Sequence, residues 1–373
     1  MEKIYFDNNS TTALDPRVFK AMLEDFEGPS SNPSSMHWFG QQAKQKLLAA
    51  RQTAASFFHT AVDEITFTSC GTESINLMLR GLKKKNHLIT SVIEHSSMYR
   101  TIQSLETLGM EVTYLPVGVW GAPLPEQIEN AIRSDTTAIA LTAANGETGV
   151  KIDIAAIAKI AEKRGIPLLL DYVAYVGKEP FEMYPGISAI AVSGHKFHAP
   201  KGVGLLFHRS FLKLDPLITG GSQESNFRAG TENLAGILGF AEALKILMEN
   251  QTAITSHLHD LRVMFETGLQ DSLKNIVING EGPRISNTSN VAFPGVDGET
   301  LLIQLDLAGI AASHGSACAS GALEPSRVLS QMGIDRKRAR SSLRFSFGRT
   351  NTREEVQRAI EIITRILKKI YPK

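Results

Sequence analysis

Short apolar runs alternate with helical segments through the first half of the chain, and this alternation limits the folds that it can adopt. The runs are rich in Ile, Leu and Val, which is typical of strands buried on both faces. Strands are predicted at residues 65–69, 87–91, 111–115, 137–142, 167–170, 187–192 and 203–207. Helices are predicted at residues 41–58, 73–82, 124–133 and 154–164, and another opens with Asp15-Pro16. The repetition predicts an α/β fold with a mostly parallel sheet and helices on both faces.

The chain changes character after residue 207. Long helices are predicted at residues 232–250 and 253–273, then a strand at 291–293, a helix at 299–307, a loop at 314–324, a strand at 342–347 and a helix at 353–370. This order is typical of a smaller α+β domain. Because 373 residues exceed the usual size of one domain, we expect a large domain at residues 13–255 and a small domain made of residues 1–12 and 256–373.

Charge and composition exclude several classes of protein. Lysine and arginine number 39 against 38 aspartate and glutamate residues, so a net charge of +1 indicates no basic surface for nucleic acid. No apolar run reaches the length of a membrane span, and residues 1–5 lack the apolar start of a signal peptide. The two cysteines, Cys70 and Cys318, are typical of free thiols in a reducing compartment, although a disulfide between them stays open at this point. We therefore expect a cytoplasmic protein without membrane or nucleic-acid partners.

The tetrapeptide Ser193-Gly194-His195-Lys196 stands between two predicted strands, with the lysine at the tip of an exposed turn. A lysine held at a strand end can form a Schiff base with pyridoxal phosphate (PLP), while Ser193 and His195 donate hydrogen bonds to the phosphate. An ordinary surface lysine on a turn is the alternative. The tetrapeptide alone does not decide between them, so the decision depends on the residues that would complete a cofactor site.

Residues at other predicted strand ends could supply the rest of such a site. Gly71 and Thr72 follow a strand and begin a helix, where free backbone N–H groups and a hydroxyl can cradle a phosphate; a simple helix cap is the alternative. Asp171 at the end of a buried strand could keep a pyridine nitrogen protonated. His95 could stack on the ring and transfer protons. An ordinary loop or cap role is the alternative for both residues.

Two further candidates lie near the C-terminus. Cys318 lies in a loop of Gly, Ser and Ala, where a mobile thiol can act as a nucleophile once it is deprotonated. An inert buried thiol is the alternative, but the small polar neighbours do not form an apolar pocket. Arg344 stands inside an apolar strand and needs an anionic partner, which is either a ligand carboxylate or a structural salt bridge.

The order of these motifs resembles that of the cysteine desulfurases, PLP-dependent members of the class V aminotransferases that supply sulfur for iron–sulfur clusters. The resemblance covers almost the whole chain. The matching motifs are Asp7-Asn8-Asn9-Ser10-Thr11-Thr12, Asn32-Pro33-Ser34-Ser35 with His37, Glu94-His95, Ser193-Gly194-His195-Lys196, Arg228-Ala229-Gly230-Thr231-Glu232-Asn233, Gly315-Ser316-Ala317-Cys318, Leu323-Glu324-Pro325-Ser326 and Arg344-Phe345-Ser346-Phe347-Gly348-Arg349. The resemblance implies a PLP-dependent transferase of the aspartate-aminotransferase-like fold, a homodimer, and L-cysteine as substrate. It also implies a sulfur acceptor or iron–sulfur scaffold protein as partner.

The resemblance further implies a role for each candidate. Lys196 forms the Schiff base, His95 stacks on the ring as an acid–base residue, and Cys318 attacks the substrate sulfur to leave a persulfide and L-alanine. Asn32 and Arg344 bind the substrate carboxylate, and no metal ion is expected. The implied cofactor-binding residues are Gly71, Thr72, His95, Asp171, Ser193, His195, Lys196 and the partner subunit's Thr231.

Three positions depart from the family pattern. Gly146 and Ala174 stand where the family has Asn and Gln, which donate to the ring oxygen of the cofactor. Tyr172 stands where we expect a small residue under the ring, so its side chain must stack on the ring, swing away or occlude the place of the ring. Each lost hydrogen bond costs about 1–3 kcal/mol in a dry site, unless Tyr172 or Tyr175 replaces a donor. An active cysteine desulfurase is the leading hypothesis. The alternatives are a weakly active or non-catalytic dimeric scaffold or sulfur-relay partner, and another PLP reaction such as selenocysteine cleavage or transamination.

Overall fold

The computed structural model describes residues 3–315 and 325–370. Within these ranges the largest sheet has seven strands, and the prediction of a mostly parallel sheet is confirmed. In spatial order they are β2 (Ile65–Thr68), β8 (Gly204–His208), β7 (Ile187–Ser193), β6 (Leu168–Asp171), β5 (Thr136–Thr142), β3 (His87–Ser91) and β4 (Glu111–Leu115). The strands from β7 to β4 pair in parallel, whereas β8 is antiparallel to both of its neighbours. The carboxyl ends of the parallel strands meet at one edge, where α/β folds place their ligand sites.

Helices cover both faces of this sheet. They are α1 (Pro16–Phe26), α2 (Trp38–Phe57), α3 (Gly71–Arg80), α4 (Ser96–Glu106), α5 (Pro125–Ala131) and α6 (Ile154–Arg164). Pro16 begins α1 and Asp15 caps it, as the sequence predicts. Strand β6 shows how the two faces are buried, because Leu168 and Leu170 pack into one core while Leu169 packs into the other.

The longest helix, α7, runs without interruption over Leu234–Ser272. The prediction of two helices that separate near residue 251 is wrong. Gln251 and Thr252 are neither Gly nor Pro, so the backbone has no reason to leave the helix there. The first half of α7 packs in the core of the large sheet, and its second half packs in a different core against α11 (Arg353–Ile370).

That second core surrounds a small antiparallel sheet of β9 (Val277–Ile278), β10 (Thr288–Ala292) and β12 (Ser342–Ser346). Strand β1 (Ile4–Tyr5) pairs in parallel with β11 (Ile310–Ala311). The helices α8 (Gly298–Leu307), α9 (Arg327–Gln331) and α10 (Arg336–Arg340) complete this region. Phe6 packs on Phe265 and Phe347, with ring centroids 6.1 and 4.9 Å apart. The N-terminal residues therefore pack with the C-terminal part of the chain.

None of the helices formed by residues 3–315 and 325–370 is long and apolar enough to cross a membrane. In the same ranges, no group of three or more His, Cys, Asp or Glu side chains could hold a metal ion.

Candidate functional site

Lys196 ends a short 3₁₀ turn, Gly194–Lys196, that continues directly from β7. The turn is not the exposed tip that the sequence predicts, because the N-terminal residues cover it. The amide and hydroxyl of Thr12 donate to the His195 carbonyl at 2.9 and 3.0 Å. The Lys196 Nζ atom donates to the carbonyl oxygens of Asn9 and Ser10 at 2.5 and 2.9 Å. The opening motif of the chain therefore orients this lysine.

Asp171 is the last residue of β6 and is 4% exposed. One carboxylate oxygen accepts from the Val173 amide at 2.8 Å, and the other accepts from the Thr142 hydroxyl at 3.4 Å. Burial raises the pKa of Asp171, and the positive charges of His95 and Lys196 oppose that shift. Because both hydrogen-bond donors are neutral groups, the carboxylate can still accept from a cationic ligand.

His95 caps the N-terminus of α4, where its Nδ1 atom accepts from the Ser97 amide at 3.2 Å. Since Nδ1 is an acceptor there, a neutral ring carries its proton on Nε2. The side chain is exposed to solvent at the crevice formed by the carboxyl ends of the parallel strands. The protein atoms around the ring nevertheless lower the pKa of His95, and the charge of Asp171 opposes this effect. The imidazole is therefore neutral at pH 7 and available for proton transfer.

Glu94 lies directly before His95 and is 1% exposed. One carboxyl oxygen is 2.5 Å from the Ser91 hydroxyl, and the other accepts from the Thr142 amide at 2.7 Å. Burial raises the pKa of Glu94 to about 8, and the nearby charge of Asp171 adds to the shift. The carboxyl therefore keeps a proton at neutral pH, and Thr142 connects it to Asp171.

The predicted phosphate-binding segments lie next to each other. Gly71 is the first residue of α3, Cys70 rather than Thr72 is its N-cap, and Thr72 is exposed in the first turn. A Cβ atom on Gly71 would lie 2.6 Å from Val173 Cγ2 and 3.3 Å from Ser193 Cβ. Glycine therefore allows the start of α3 to approach the end of β7 closely.

His195 joins these segments to the opening motif, because its Nδ1 atom lies 3.1 Å from the Thr11 hydroxyl. Burial lowers the pKa of His195 to about 4, and the positive charges of Lys196 and Lys178 add to this effect. The imidazole is therefore neutral at pH 7, and it can donate one hydrogen bond.

Two predicted binding residues lie on more exposed segments. Thr231 is exposed and, with Ser69, lines a cleft of about 430 Å³. Asn32 lies in the loop before α2, where its side-chain oxygen accepts from the Ser34 amide at 2.9 Å. These contacts do not test the predicted roles, which stay predictions.

Arg344 lies in β12 and reaches the same region as the opening motif. Its Nη2 atom donates to the Asp7 carboxylate at 2.7 Å and to the Ser10 hydroxyl at 2.9 Å, and its Nη1 atom donates to the Gly146 carbonyl at 3.1 Å. The Nε atom is buried and has no hydrogen-bond partner among the residues that the structure describes. The structural salt bridge is thus present, and the Nε–H group could still donate to a ligand carboxylate.

Gly146 and Ala174, the two small residues that replace expected donors, face each other. Among the described residues, a Cβ atom on Gly146 would meet only the Ala174 Cβ atom, at 3.7 Å. Tyr172 does not fill this space, because it is 1% exposed and its ring packs on Tyr175 and Phe181, with centroids 4.9 and 5.9 Å apart. Of the outcomes open for Tyr172, the structure agrees with the one in which the side chain swings away from this space. The residue whose side chain points to the same side of the chain as Asp171 is Val173, which lies close to Gly71 at the start of α3.

Cys318, the predicted nucleophile, lies outside the described residues. Gly315, before that segment, lies close to Glu147, since its Cβ would be 3.9 Å from the Glu147 Oε1 atom. Cys70 is half-buried, and its sulfur accepts from the Ser69 hydroxyl at 3.6 Å.

Several residues that shape the site carry no role in the sequence analysis, notably Asn9, Ser10, Glu94 and Lys178. A signal existed for three of them. Asn9 and Ser10 belong to the opening motif, and Glu94 precedes His95 in a matched motif. Lys178 has no local signal, because its importance depends on a contact with the next strand end.

Comparison with known proteins identifies the family. The model of the family described as aminotransferase class-V matches residues 4–359. A cysteine desulfurase IscS of Dictyoglomus turgidum is 38% identical over 375 residues, which cover 99% of this chain and 95% of that protein. A cysteine desulfurase of Trichormus azollae is 39% identical over 377 residues, with 99% and 94% coverage. A solved structure titled NifS-like protein is 34% identical with a TM-score of 0.91, and the match covers 98% of this chain and 100% of that one. The chain therefore belongs to the cysteine desulfurases of the class V aminotransferase family.

Proposed function

We propose that this protein is a PLP-dependent cysteine desulfurase that converts L-cysteine to L-alanine and passes the sulfur on for iron–sulfur cluster or other sulfur-cofactor assembly. The observation that carries the proposal is the meeting of Lys196, Asp171 and His95 at the carboxyl edge of the parallel strands. Lys196, and His95 when it is protonated, stabilise the Asp171 carboxylate, and the charge of Asp171 acts on His95 in return. The names of both relatives support cysteine as the substrate.

The residues present fit PLP. Asp171 is a buried carboxylate with neutral hydrogen-bond partners, so it would hold a protonated pyridine nitrogen. Gly71 and Ser193, together with Thr72 and His195, would hold the phosphate at the start of α3. When it is bound, PLP supplies a ring that withdraws electrons from the substrate carbon.

The chain's own side chains would then bind the substrate and transfer protons. Lys196 provides the amine for the cofactor, and the neutral imidazole of His95 exchanges protons at the substrate. Arg344 has a buried Nε–H group for the substrate carboxylate, and Asn32 would provide a second donor. We propose that the Cys318 thiolate attacks the substrate sulfur, so that an S–S bond forms as the substrate C–S bond breaks. The electron pair of the C–S bond goes to the substrate carbon, which takes up a proton to give L-alanine, and the persulfide stays on Cys318.

We also propose a homodimer. Large apolar side chains are exposed on α1 and before and within the first turn of α2, including Phe26 at 70%, Met36 at 89% and Trp38 at 65%. A patch of this kind supports an interface between two copies of the chain. The partner subunit's Thr231 would then complete the phosphate site. We further propose that the protein is cytoplasmic and that its partner is a sulfur-acceptor or iron–sulfur scaffold protein.

Two cores support the proposed domains at residues 13–255 and at 1–12 with 256–373. Helix α7 crosses this boundary, with Leu247 in the core of the large sheet and Leu258 in the second core. The alternatives of a non-catalytic scaffold and of a selenocysteine lyase receive no support from the relatives, whose names state cysteine desulfurase.

Borohydride reduction of PLP-loaded protein tests the cofactor site, because it fixes the cofactor to the amine that holds it. Peptide mapping should place the pyridoxyl group on Lys196. Lys196→Ala should give no labelled peptide, and Lys201→Ala, which removes an exposed lysine nearby, should label as the parent does. A label on another residue of the parent would refute the proposed role of Lys196.

A further inference from the structure

Lys178 is a buried cation that the proposed reaction does not use. It is 4% exposed. Its Nζ atom donates to the backbone carbonyl of Lys196, and a longer bond of 3.4 Å reaches the Val176 carbonyl. Burying an ammonium group is costly. The hydrogen bond to the Lys196 carbonyl therefore indicates a functional reason for burying this amine.

Lys178 also joins two strand ends. It lies in the segment that follows β6, where its amide donates to the Tyr175 carbonyl at 3.1 Å, and β6 ends at Asp171. Lys196 ends the turn after the neighbouring strand, β7. The Lys178 side chain therefore spans from the segment of the predicted pyridine partner to the turn that carries the predicted cofactor lysine.

Within residues 3–315 and 325–370, Lys178 forms no salt bridge, and carboxylates of neighbouring segments pair with other cations. Glu179, the next residue, pairs with Lys151 at 2.5 Å. Asp15 pairs with Arg17 at 3.0 Å and also with Arg349. The charge of Lys178 is therefore not explained by a salt bridge.

The charged groups that face Lys178 are cations. Burial lowers the pKa of Lys178 to about 7, and the positive charges of Lys196 and Arg349 add to this effect. His198, which lines a small cavity with Lys178 and Arg349, is neutral because burial lowers its pKa to about 3. The charge of Lys178 also acts on His195. Two like charges in a buried region disfavour each other.

We propose that Lys178 is a positioning residue for Lys196: its amine holds the Lys196 carbonyl and fixes the backbone from which the Lys196 side chain enters the crevice. The inference rests on the proposed function, in which Lys196 binds PLP.

Three substitutions test the hydrogen bond to the Lys196 carbonyl. Lys178→Met removes the donor, whereas Lys178→Gln and Lys178→Arg each keep one. The measurement is the rate at which apo-protein takes up PLP in a form that borohydride fixes to Lys196. For Lys178→Met we expect a rate about tenfold lower than that of the parent, because a buried carbonyl loses its donor. Lys178→Gln and Lys178→Arg should recover most of the rate of the parent, even where their thermal stability is lower.

Lys201→Met is the matched control, because it removes an exposed lysine from the segment after Lys196. It should leave the rate unchanged. A folded Lys178→Met protein that takes up PLP at the rate of the parent would overturn the proposal. So would rates that follow thermal stability in all three variants, whether or not a donor is present. If Lys178→Met does not fold, a tenfold loss of rate in both folded donor variants, Lys178→Gln and Lys178→Arg, overturns it. A parent label outside Lys196 refutes the proposed function itself, independently of any Lys178 variant.

Discussion

Replacing Glu94 with glutamine tests whether the carboxyl group beside Asp171 carries a proton at neutral pH. The substitution keeps the shape of the side chain. An amide oxygen can accept from Thr142 as the carboxyl does, and the amide N–H group can donate to the Ser91 hydroxyl. Glu94→Gln should therefore be nearly neutral for folding wherever the parent carboxyl is protonated in both the folded and the unfolded state.

The size of the effect follows from the pKa of Glu94, which burial raises from 4.5 to about 8. A folded-state pKa above the unfolded value means that the folded state retains the proton over this range while the unfolded state has lost it. The free energy of unfolding of the parent should therefore fall by about 1.4 kcal/mol for each pH unit between these values. The whole interval amounts to roughly 4–5 kcal/mol, and the contribution becomes constant above the folded-state pKa. The unfolding free energy of Glu94→Gln should not show this fall, because glutamine does not ionise.

Urea unfolding of apo-protein at pH 5, 7 and 9 and one fixed protein concentration measures the difference. The gap in unfolding free energy between Glu94→Gln and the parent should grow in favour of the variant as the pH rises. Glu126→Gln, which removes an exposed carboxylate from α5, measures the effect of lost surface charge alone. A gap that stays constant from pH 5 to pH 9 would show that Glu94 ionises as an ordinary glutamate, and the conclusion that its carboxyl keeps a proton at neutral pH would be wrong.

Two other substitution experiments address the cofactor and the sulfur step. Gly146→Asn combined with Ala174→Gln should tighten PLP binding to apo-protein by about 1–3 kcal/mol for each restored hydrogen bond; an unchanged affinity in a PLP titration would show that another group already serves the ring oxygen. Cys318→Ser should retain the absorbance response to L-cysteine but release no L-alanine and carry no persulfide, whereas Cys70→Ser should keep both products. Release of L-alanine by Cys318→Ser at the rate of the parent would replace the desulfurase mechanism with a reaction that needs no enzyme thiol.

The central sheet follows from the sequence because its strands are short apolar runs between helical segments. The predicted strand at residues 65–69 is observed as Ile65–Thr68, and the one at 187–192 as Ile187–Ser193. Helix α4 was not predicted, although its buried Met98, Ile102 and Leu105 follow helical spacing. Strands β1 and β11 could not be found from local pattern, since each has two residues and its partner lies at the other end of the chain.

The location of the site was predictable for a topological reason. Parallel strands present their carboxyl ends at one edge, so Asp171, His95 and Lys196 could be expected there from their positions after strands. The cover over Lys196 was not predictable, because it consists of backbone carbonyls of Asn9 and Ser10. Carbonyl groups have no sequence signature, and only the tertiary fold places them near a lysine.

The orientation of Tyr172 shows that the two-residue period of a strand is a stronger guide than a motif position. Leu168 and Leu170 face the same core as Tyr172, so the face of Asp171 continues at Val173. A Cβ atom at residue 71 would lie 2.6 Å from Val173 Cγ2, which is too close for any residue larger than glycine unless Val173 moves. The start of α3 and the end of β6 are therefore coupled: a side chain at 71 would push the helix start away from Ser193, and the groups proposed to hold the phosphate would separate. The wider space lies beside Gly146 and Ala174. Val173 restricts the site at the start of α3, whereas Gly146 and Ala174 leave it open on another segment. Substitutions at the two places therefore test the two effects independently.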